Sequence, residues 1–112
     1  MRKPVVPRVA AEDDLDRACD HYLITAGSDV AVEFLHDFEI AIAFISKSPG
    51  SGSPRYGSEP DLPGLRFWPM KKFPFLIFYI EAEHCIDVWR VLHDNMDIPS
   101  RLDDPESLPM AP

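Results

Sequence analysis

The chain has 112 residues, of which 46% are hydrophobic and 27% charged, and its net charge is −8 at pH 7. This length supports one hydrophobic core and excludes a second domain of ordinary size. No apolar run reaches the ~18 residues of a membrane span, and the first nine residues lack the apolar stretch of a secretory signal. We therefore expect a cytoplasmic protein without a membrane partner. Cys19 and Cys85 suit reduced, buried positions.

The negative charge lies in one segment of the chain. Between Ala10 and Ser46 there are nine acidic residues and a single base, Arg17, whereas acids and bases balance in the remainder. The acids are Glu12, Asp13, Asp14, Asp16, Asp20, Asp29, Glu33, Asp37 and Glu39. Nonspecific nucleic-acid binding depends on Lys and Arg side chains that neutralise phosphates. The charge therefore argues against direct nucleic-acid binding and favours a protein partner that carries a basic element.

The N-terminal half predicts a short strand followed by a helical hairpin. Residues 4–10 favour an edge strand, because two prolines lack the N–H of a central strand. Apolar residues recur at helical spacing from Leu15 to Ala26, and Gly27 is a suitable residue to end that helix.

A second helix follows directly. Its apolar stripe runs from Ala31 to Ile45. We expect Ser28 or Asp29 to cap it and Lys47 to end it. The acids should then cover the outward faces of both helices.

The C-terminal half predicts a loop and three strands. Residues 48–64 are rich in Ser, Gly and Pro, and strands are expected at 65–70, 74–82 and 85–93. The resulting fold class is α+β: an N-terminal strand, then a helical hairpin packed on one face of a small antiparallel sheet that ends in a three-stranded meander. Residues 74–82 should be central, and the other sheet face should remain partly open. We expect one domain over residues 1–102 and a flexible C-terminal tail over 103–112.

Strict alternation in the last strand assigns its side chains to two faces. One set is Ile86, Val88, Arg90 and Leu92, and the other is Cys85, Asp87, Trp89, Val91 and His93.

The polar residues allow two interpretations. The basic residues of the strand region could form a cationic patch for phosphates or an acidic partner, or they could simply protect strand edges. These residues are Arg66, Lys71, Lys72 and Arg90, joined by His93. His93 and Asp94 are neighbours on a strand and should point to opposite faces, so they do not form a simple acid–base pair. The spacing of Cys19, His21 and His36 fits no zinc site.

Three stretches together resemble a known family. Residues 73–79 read FPFLIFY, residues 86–93 read IDVWRVLH, and residues 64–69 read GLRFWP. With the helical hairpin and Asp97, they resemble ParE-type toxins of the RelE/ParE superfamily of type II toxin–antitoxin systems over residues 5–102. Met96 departs from the pattern, which has arginine there.

The superfamily divides in function. RelE-like members cleave mRNA on the ribosome and carry an arginine where this chain has Phe75, whereas ParE-like members poison DNA gyrase by protein contact. A phenylalanine cannot stabilise phosphoryl charge. The resemblance thus implies a non-enzymatic gyrase toxin that a cognate antitoxin neutralises, with no catalytic residue, cofactor or metal. The candidate partner contacts are Arg66, Trp68, Lys71, Arg90 and His93.

Two alternatives stay open at this point. One is a ribosome-dependent mRNA endonuclease, with Arg90 stabilising charge and His93 as acid or base. The other is a non-toxic scaffold that binds antitoxin.

Overall fold

The structure, a computed structural model, describes residues 3–54 and 64–95 together with Ile98 and Leu102. Its elements follow the predicted order. They are β1 (Val5–Pro7), α1 (Val9–Ala26), α2 (Ser28–Lys47), a 3₁₀ turn (Pro49–Ser51), β2 (Leu65–Pro69), β3 (Phe75–Glu81) and β4 (Ile86–His93). The α+β class is confirmed. The predicted flexible tail, residues 103–112, lies outside the described residues.

The four strands form one sheet in the order β1-β4-β3-β2. β2, β3 and β4 form the predicted antiparallel meander, whereas β1 pairs in parallel with β4, so the sheet is mixed rather than wholly antiparallel. β1 lies at the edge, where Pro7 is tolerated. The Arg8 guanidinium anchors it through two bonds, of 2.9 and 2.6 Å, to the Asp87 carboxylate on β4.

Gly27 joins the two helices. Its φ of 98° lies in a region that favours glycine, and its N–H donates to the Tyr22 carbonyl at 3.0 Å. The predicted end of α1 is therefore confirmed. The predicted cap of α2 is wrong: Ser28 and Asp29 already lie within the helix, and no side chain caps its N-terminus.

A β-bulge in β4 changes which side chains share a face. Tyr79 lies opposite Val88 and Phe78 opposite Arg90, so Trp89 has no counterpart on β3. One extra residue reverses the alternation beyond it. Val91 consequently joins Val88 in the core beneath the helices, and Leu92 joins Trp89 on the opposite face. The predicted alternation holds as far as Trp89 and is wrong for Val91 and Leu92.

Hydrophobic residues cover both faces of the sheet. The larger cluster lies between the helical hairpin and the sheet. A second cluster lies on the opposite face, where Ile98 and Leu102 are buried with Phe78, Trp89 and Leu92. That face is therefore more covered than the sequence suggested, because Ile98 and Leu102 pack on it.

Candidate interaction site

An apolar groove of about 520 Å³ lies between α2 and β2. Its lining residues are Asp37, Ile40, Ala41, Phe44, Trp68, Pro69, Met70 and Lys71. The rings of Phe44 and Trp68 stack at a centroid distance of 4.4 Å and an interplanar angle of 20°. Ile40 and Phe44 are 50% and 42% exposed. We call this surface the α2–β2 groove; it holds large apolar side chains that the fold itself leaves uncovered.

Asp37 shapes one end of the groove. It is only 3% exposed, and its Oδ2 accepts the N–H groups of Lys72 at 2.8 Å and Phe73 at 3.3 Å. The α2 carboxylate thereby fixes the turn between β2 and β3, beside the exposed Lys71. The expectation that the helix acids face outward is wrong for Asp37, because the turn supplies two backbone donors for its charge.

Arg66 lies on β2 but contacts the loop after α2. Its Nη1 donates to the Gly52 carbonyl at 2.8 Å. The same loop is held by the buried Tyr79 hydroxyl, which donates to the Pro49 carbonyl at 2.6 Å and accepts the Gly52 N–H at 3.1 Å. Burial raises the pKa of Tyr79 above its ordinary value. Arg66 therefore helps to position the loop.

A second cavity, of about 400 Å³, opens between α1 and the end of β4; we call it the α1–β4 cleft. Its lining residues are Asp14, Arg17, Ala18, His21, Phe75, Arg90, Val91, Leu92, His93 and Asn95.

A buried ion pair closes the inner side of this cleft. The Arg90 guanidinium donates to both oxygens of Asp14, from Nε at 2.6 Å and from Nη2 at 2.8 Å, and both side chains are nearly inaccessible. Asp14 also accepts the Val91 N–H at 3.0 Å. Because β1 ends at Pro7, it does not reach this part of β4, and the α1 carboxylate takes the place of a strand partner. Asp14 is thus a second acid that the sequence wrongly placed on an outward face.

His93 ends β4 at the rim of the cleft. Its side chain is 30% exposed, and its ring packs edge-on against Phe75 at 5.1 Å. Nδ1 accepts the Asn95 N–H at 3.2 Å and lies 3.5 Å from the Asp94 carboxylate. This separation is within ion-pair distance but too long for a strong hydrogen bond. Because β4 ends at His93, Asp94 lies in the following turn and not on the opposite face of the strand.

The structure divides the five candidate contacts among three places. Trp68 and Lys71 line the α2–β2 groove, and Arg90 and His93 line the α1–β4 cleft, while Arg66 contacts the loop. With Arg90 buried against Asp14, these residues do not form a single exposed cationic patch. Partner binding by all five stays a prediction.

Several residues that line the two cavities were not predicted from the sequence. Phe44 lies outside the apolar stripe that predicts α2, and the sequence pattern assigns no binding role to Phe44, Arg17 or His21. The signal for Phe44 and Ile40 was present: they fall outside the buried stripe of α2, and large apolar residues there predict an uncovered surface.

Neither a metal cluster nor a membrane-spanning helix occurs in the described part of the chain. No group of three or more potential metal ligands occurs among the described residues. None of the helices in this part of the chain is long and apolar enough to cross a membrane.

The fold and its two cavities define a class: a helical hairpin on a small mixed sheet with uncovered apolar surface suited to a protein partner. The family model described as the ParE toxin of the type II toxin–antitoxin system parDE matches residues 5–98. The chain belongs to this ParE toxin family.

A solved structure has the same fold. It is described as a chromosomal ParDE toxin–antitoxin system from P. aeruginosa, and it superposes with a TM-score of 0.69 at 21% identity, covering 82% of this chain and 96% of that one. No curated protein sequence matches the chain.

Proposed function

We propose that this ParE-family chain is a toxin that acts on DNA gyrase in the cytoplasm by protein–protein contact, and that a cognate antitoxin neutralises it. Membership of the family supports the toxin assignment. The choice of gyrase over mRNA rests on the α1–β4 cleft, which holds Phe75, Arg90 and His93 together.

The Asp14–Arg90 pair is the observation that carries this choice. An mRNA nuclease needs cations free to stabilise charge on the scissile phosphate. Here the Arg90 guanidinium is hydrogen-bonded to the buried Asp14 carboxylate. Phe75, which is 8% exposed, contributes an apolar ring to the same cleft. The arrangement stabilises the fold and withdraws the Arg90 guanidinium from phosphoryl chemistry beside His93.

The α2–β2 groove is the surface that we assign to the antitoxin. Its exposed Ile40 and its Phe44–Trp68 stack are the kind of apolar and aromatic anchors that dominate protein interfaces. Lys71 at the rim supplies one polar contact. Acidic residues on the helices favour an antitoxin segment with basic side chains beside its apolar ones.

The edges of the sheet favour a helix, rather than an added strand, as the bound element. On β2, Phe67 exchanges both backbone hydrogen bonds with Ser53 at 2.9 Å, and Pro69 has no N–H. On β1, Pro7 likewise lacks a donor. Strand addition needs a row of free backbone groups, which these edges do not offer. An amphipathic helix needs only the groove.

Growth and biochemical assays test the target. Induction of the chain alone should arrest growth with a DNA-damage response, and co-expression of the antitoxin should restore growth. Transcript cleavage without any effect on gyrase would contradict the proposal and favour the endonuclease. Normal growth at full expression would favour the non-toxic scaffold.

A matched pair of isoleucine variants tests the groove. Ile40→Ser should raise the Kd for the antitoxin about tenfold or more, because it removes a central apolar contact. Ile24→Ser is the control, since Ile24 is 83% exposed on α1 and does not line the groove. Equal affinities of both variants and the wild type would exclude the α2–β2 groove as the antitoxin site.

A further inference from the structure

The α1–β4 cleft is lined by the single basic side chain of the acidic helical segment. Arg17 is the only Lys or Arg between residues 10 and 46, where nine acids lie, and it lines this cleft. It is exposed, and within the described part of the chain it forms no ion pair. One base on an acidic segment therefore presents its charge at a cavity rather than to a neighbouring carboxylate.

Two imidazoles line the cleft with Arg17. His21 follows one helical turn later on α1 and is exposed, and His93 lies at the end of β4. Because Nδ1 of His93 accepts the Asn95 N–H, the proton of its neutral ring sits on Nε2, which is then a donor. The only acid among the lining residues is Asp14, whose charge is offset by Arg90. The residues that line the cleft thus combine donors with no unpaired carboxylate, and Asp94, 3.5 Å from Nδ1 of His93, lies outside the lining set.

The size and surroundings of the cleft select a compact anion. A net charge of −8 repels a polyanion such as RNA, since each further phosphate adds to the repulsion. A single carboxylate on an otherwise basic segment meets no such barrier. The cleft walls include the apolar side chains of Ala18, Phe75 and Leu92, which suit the methylene groups of a bound side chain. The Arg17 guanidinium can bind a carboxylate through two parallel hydrogen bonds.

We infer that the α1–β4 cleft receives the carboxylate of one Asp or Glu side chain of the antitoxin, with Arg17 as its main partner and His21 and His93 as additional donors. The inference rests on the proposed function, because it requires a protein partner. It adds a polar anchor, separate from the apolar α2–β2 groove. A carboxylate in this cleft fixes the register of a partner that the groove alone would hold loosely, and so contributes specificity.

Charge reversal at Arg17 tests the inference. The Kd for the cognate antitoxin is measured by titration calorimetry with the wild type, Arg17→Glu and Arg17→Gln. Arg17→Glu should raise the Kd about tenfold to a hundredfold, and Arg17→Gln by less, since a buried interfacial charge pair is lost and then opposed. Lys47→Glu is the control: it changes the net charge equally at an exposed position that lines neither cavity.

A rescue experiment identifies the partner residue. Each acidic residue of the antitoxin is changed to lysine and titrated against the Arg17→Glu toxin, and one of these variants should restore affinity to within about threefold of the wild-type pair. Circular dichroism of each toxin variant checks that it is folded, and Arg17→Gln supplies the comparison if Arg17→Glu does not fold.

Three results would overturn the inference. The first is wild-type affinity for Arg17→Glu, and the second is the absence of any antitoxin variant that rescues it. The third is tight binding of inorganic phosphate to the toxin alone, lost in Arg17→Gln while antitoxin affinity is unchanged, which would identify a site for a free anion. In each of these cases the wild-type toxin still binds the antitoxin, so the proposed function is not contradicted. If the wild-type toxin does not bind the antitoxin, both the proposed function and this inference are contradicted.

Discussion

Replacement of Asp14 by alanine tests the role of the buried ion pair. The substitution removes both hydrogen bonds to Arg90 and the bond to the Val91 N–H, and it leaves the Arg90 charge in a site where the side chain is only 9% exposed. Breaking a buried pair by removing one partner costs about 3–5 kcal/mol. For a domain of this length that corresponds to a fall in Tm of about 13–21 °C.

Urea unfolding followed by tryptophan fluorescence measures this cost. Trp89 lies next to Arg90 in the bulge, so its emission reports on the affected region. Asp16→Ala is the control, because Asp16 is an exposed acid on the same helix, and a surface change of this kind should alter the free energy of unfolding by less than about 0.5 kcal/mol.

A double variant separates the charge from the packing. Asp14→Leu with Arg90→Met should be much more stable than Asp14→Ala, because it removes both charges and keeps apolar volume. A loss of less than about 1 kcal/mol for Asp14→Ala, equal to that of Asp16→Ala, would refute the reasoning. The Arg90 guanidinium would then be available to stabilise phosphoryl charge, as a nuclease requires.

Three further predictions concern the loop and the turn. Tyr79→Phe should cost about 1–3 kcal/mol, because the Gly52 N–H loses its acceptor. The same substitution should also remove a loss of stability that the wild type shows at alkaline pH. Because the folded-state pKa of Tyr79 is raised, its neutral phenol stabilises the protein fully below pH 10.0. This stabilisation disappears as the pH rises through the raised pKa. Urea titrations between neutral and alkaline pH measure both effects, and a parallel pH dependence in wild type and variant would contradict the second. Gly52→Ala should destabilise more than Gly50→Ala, because a Cβ at residue 52 would overlap the Tyr79 hydroxyl whereas one at residue 50 meets no atom within 4 Å; equal melting temperatures would show that the loop simply moves away. Asp37→Ala should cost about 1–3 kcal/mol through the two N–H groups it leaves unpaired, and Glu39→Ala, at an exposed position, should cost little; thermal melts that do not separate the two would exclude the turn contact.

Local patterns in the sequence predict much of this fold. Apolar spacing gave both helices, Gly27 marked their junction, and the strands at 65–70, 74–82 and 85–93 differ from the observed ones by a residue or so at their ends. These features depend on neighbouring residues, for which period and turn chemistry are informative.

The errors come from long-range contacts. Asp14 reads as an outward acid in the first turns of a helix, and only the position of Arg90, 76 residues away, makes it a buried partner. Alternation in β4 fails because of the bulge at Trp89, which strict period-two reasoning cannot detect. Parallel pairing of β1 with β4 likewise depends on how the chain returns after the helices.

The candidate site was less predictable than the fold. Trp68 and Lys71 do lie on one groove, but its other large side chains, Ile40 and Phe44, come from a helix whose pattern suggests only core packing. Neither cavity can be recognised before the helices are placed against the strands.

A supercoiling assay with purified gyrase measures directly whether the chain acts on this enzyme. Relaxed plasmid, ATP and gyrase are incubated with increasing amounts of the chain, with and without an equimolar antitoxin. We expect that the chain alone blocks supercoiling or traps cleaved plasmid, that the antitoxin reverses this, and that Asp14→Leu with Arg90→Met retains the effect. Undiminished supercoiling at every concentration, together with cleavage of ribosome-bound mRNA by the same preparation, would contradict it.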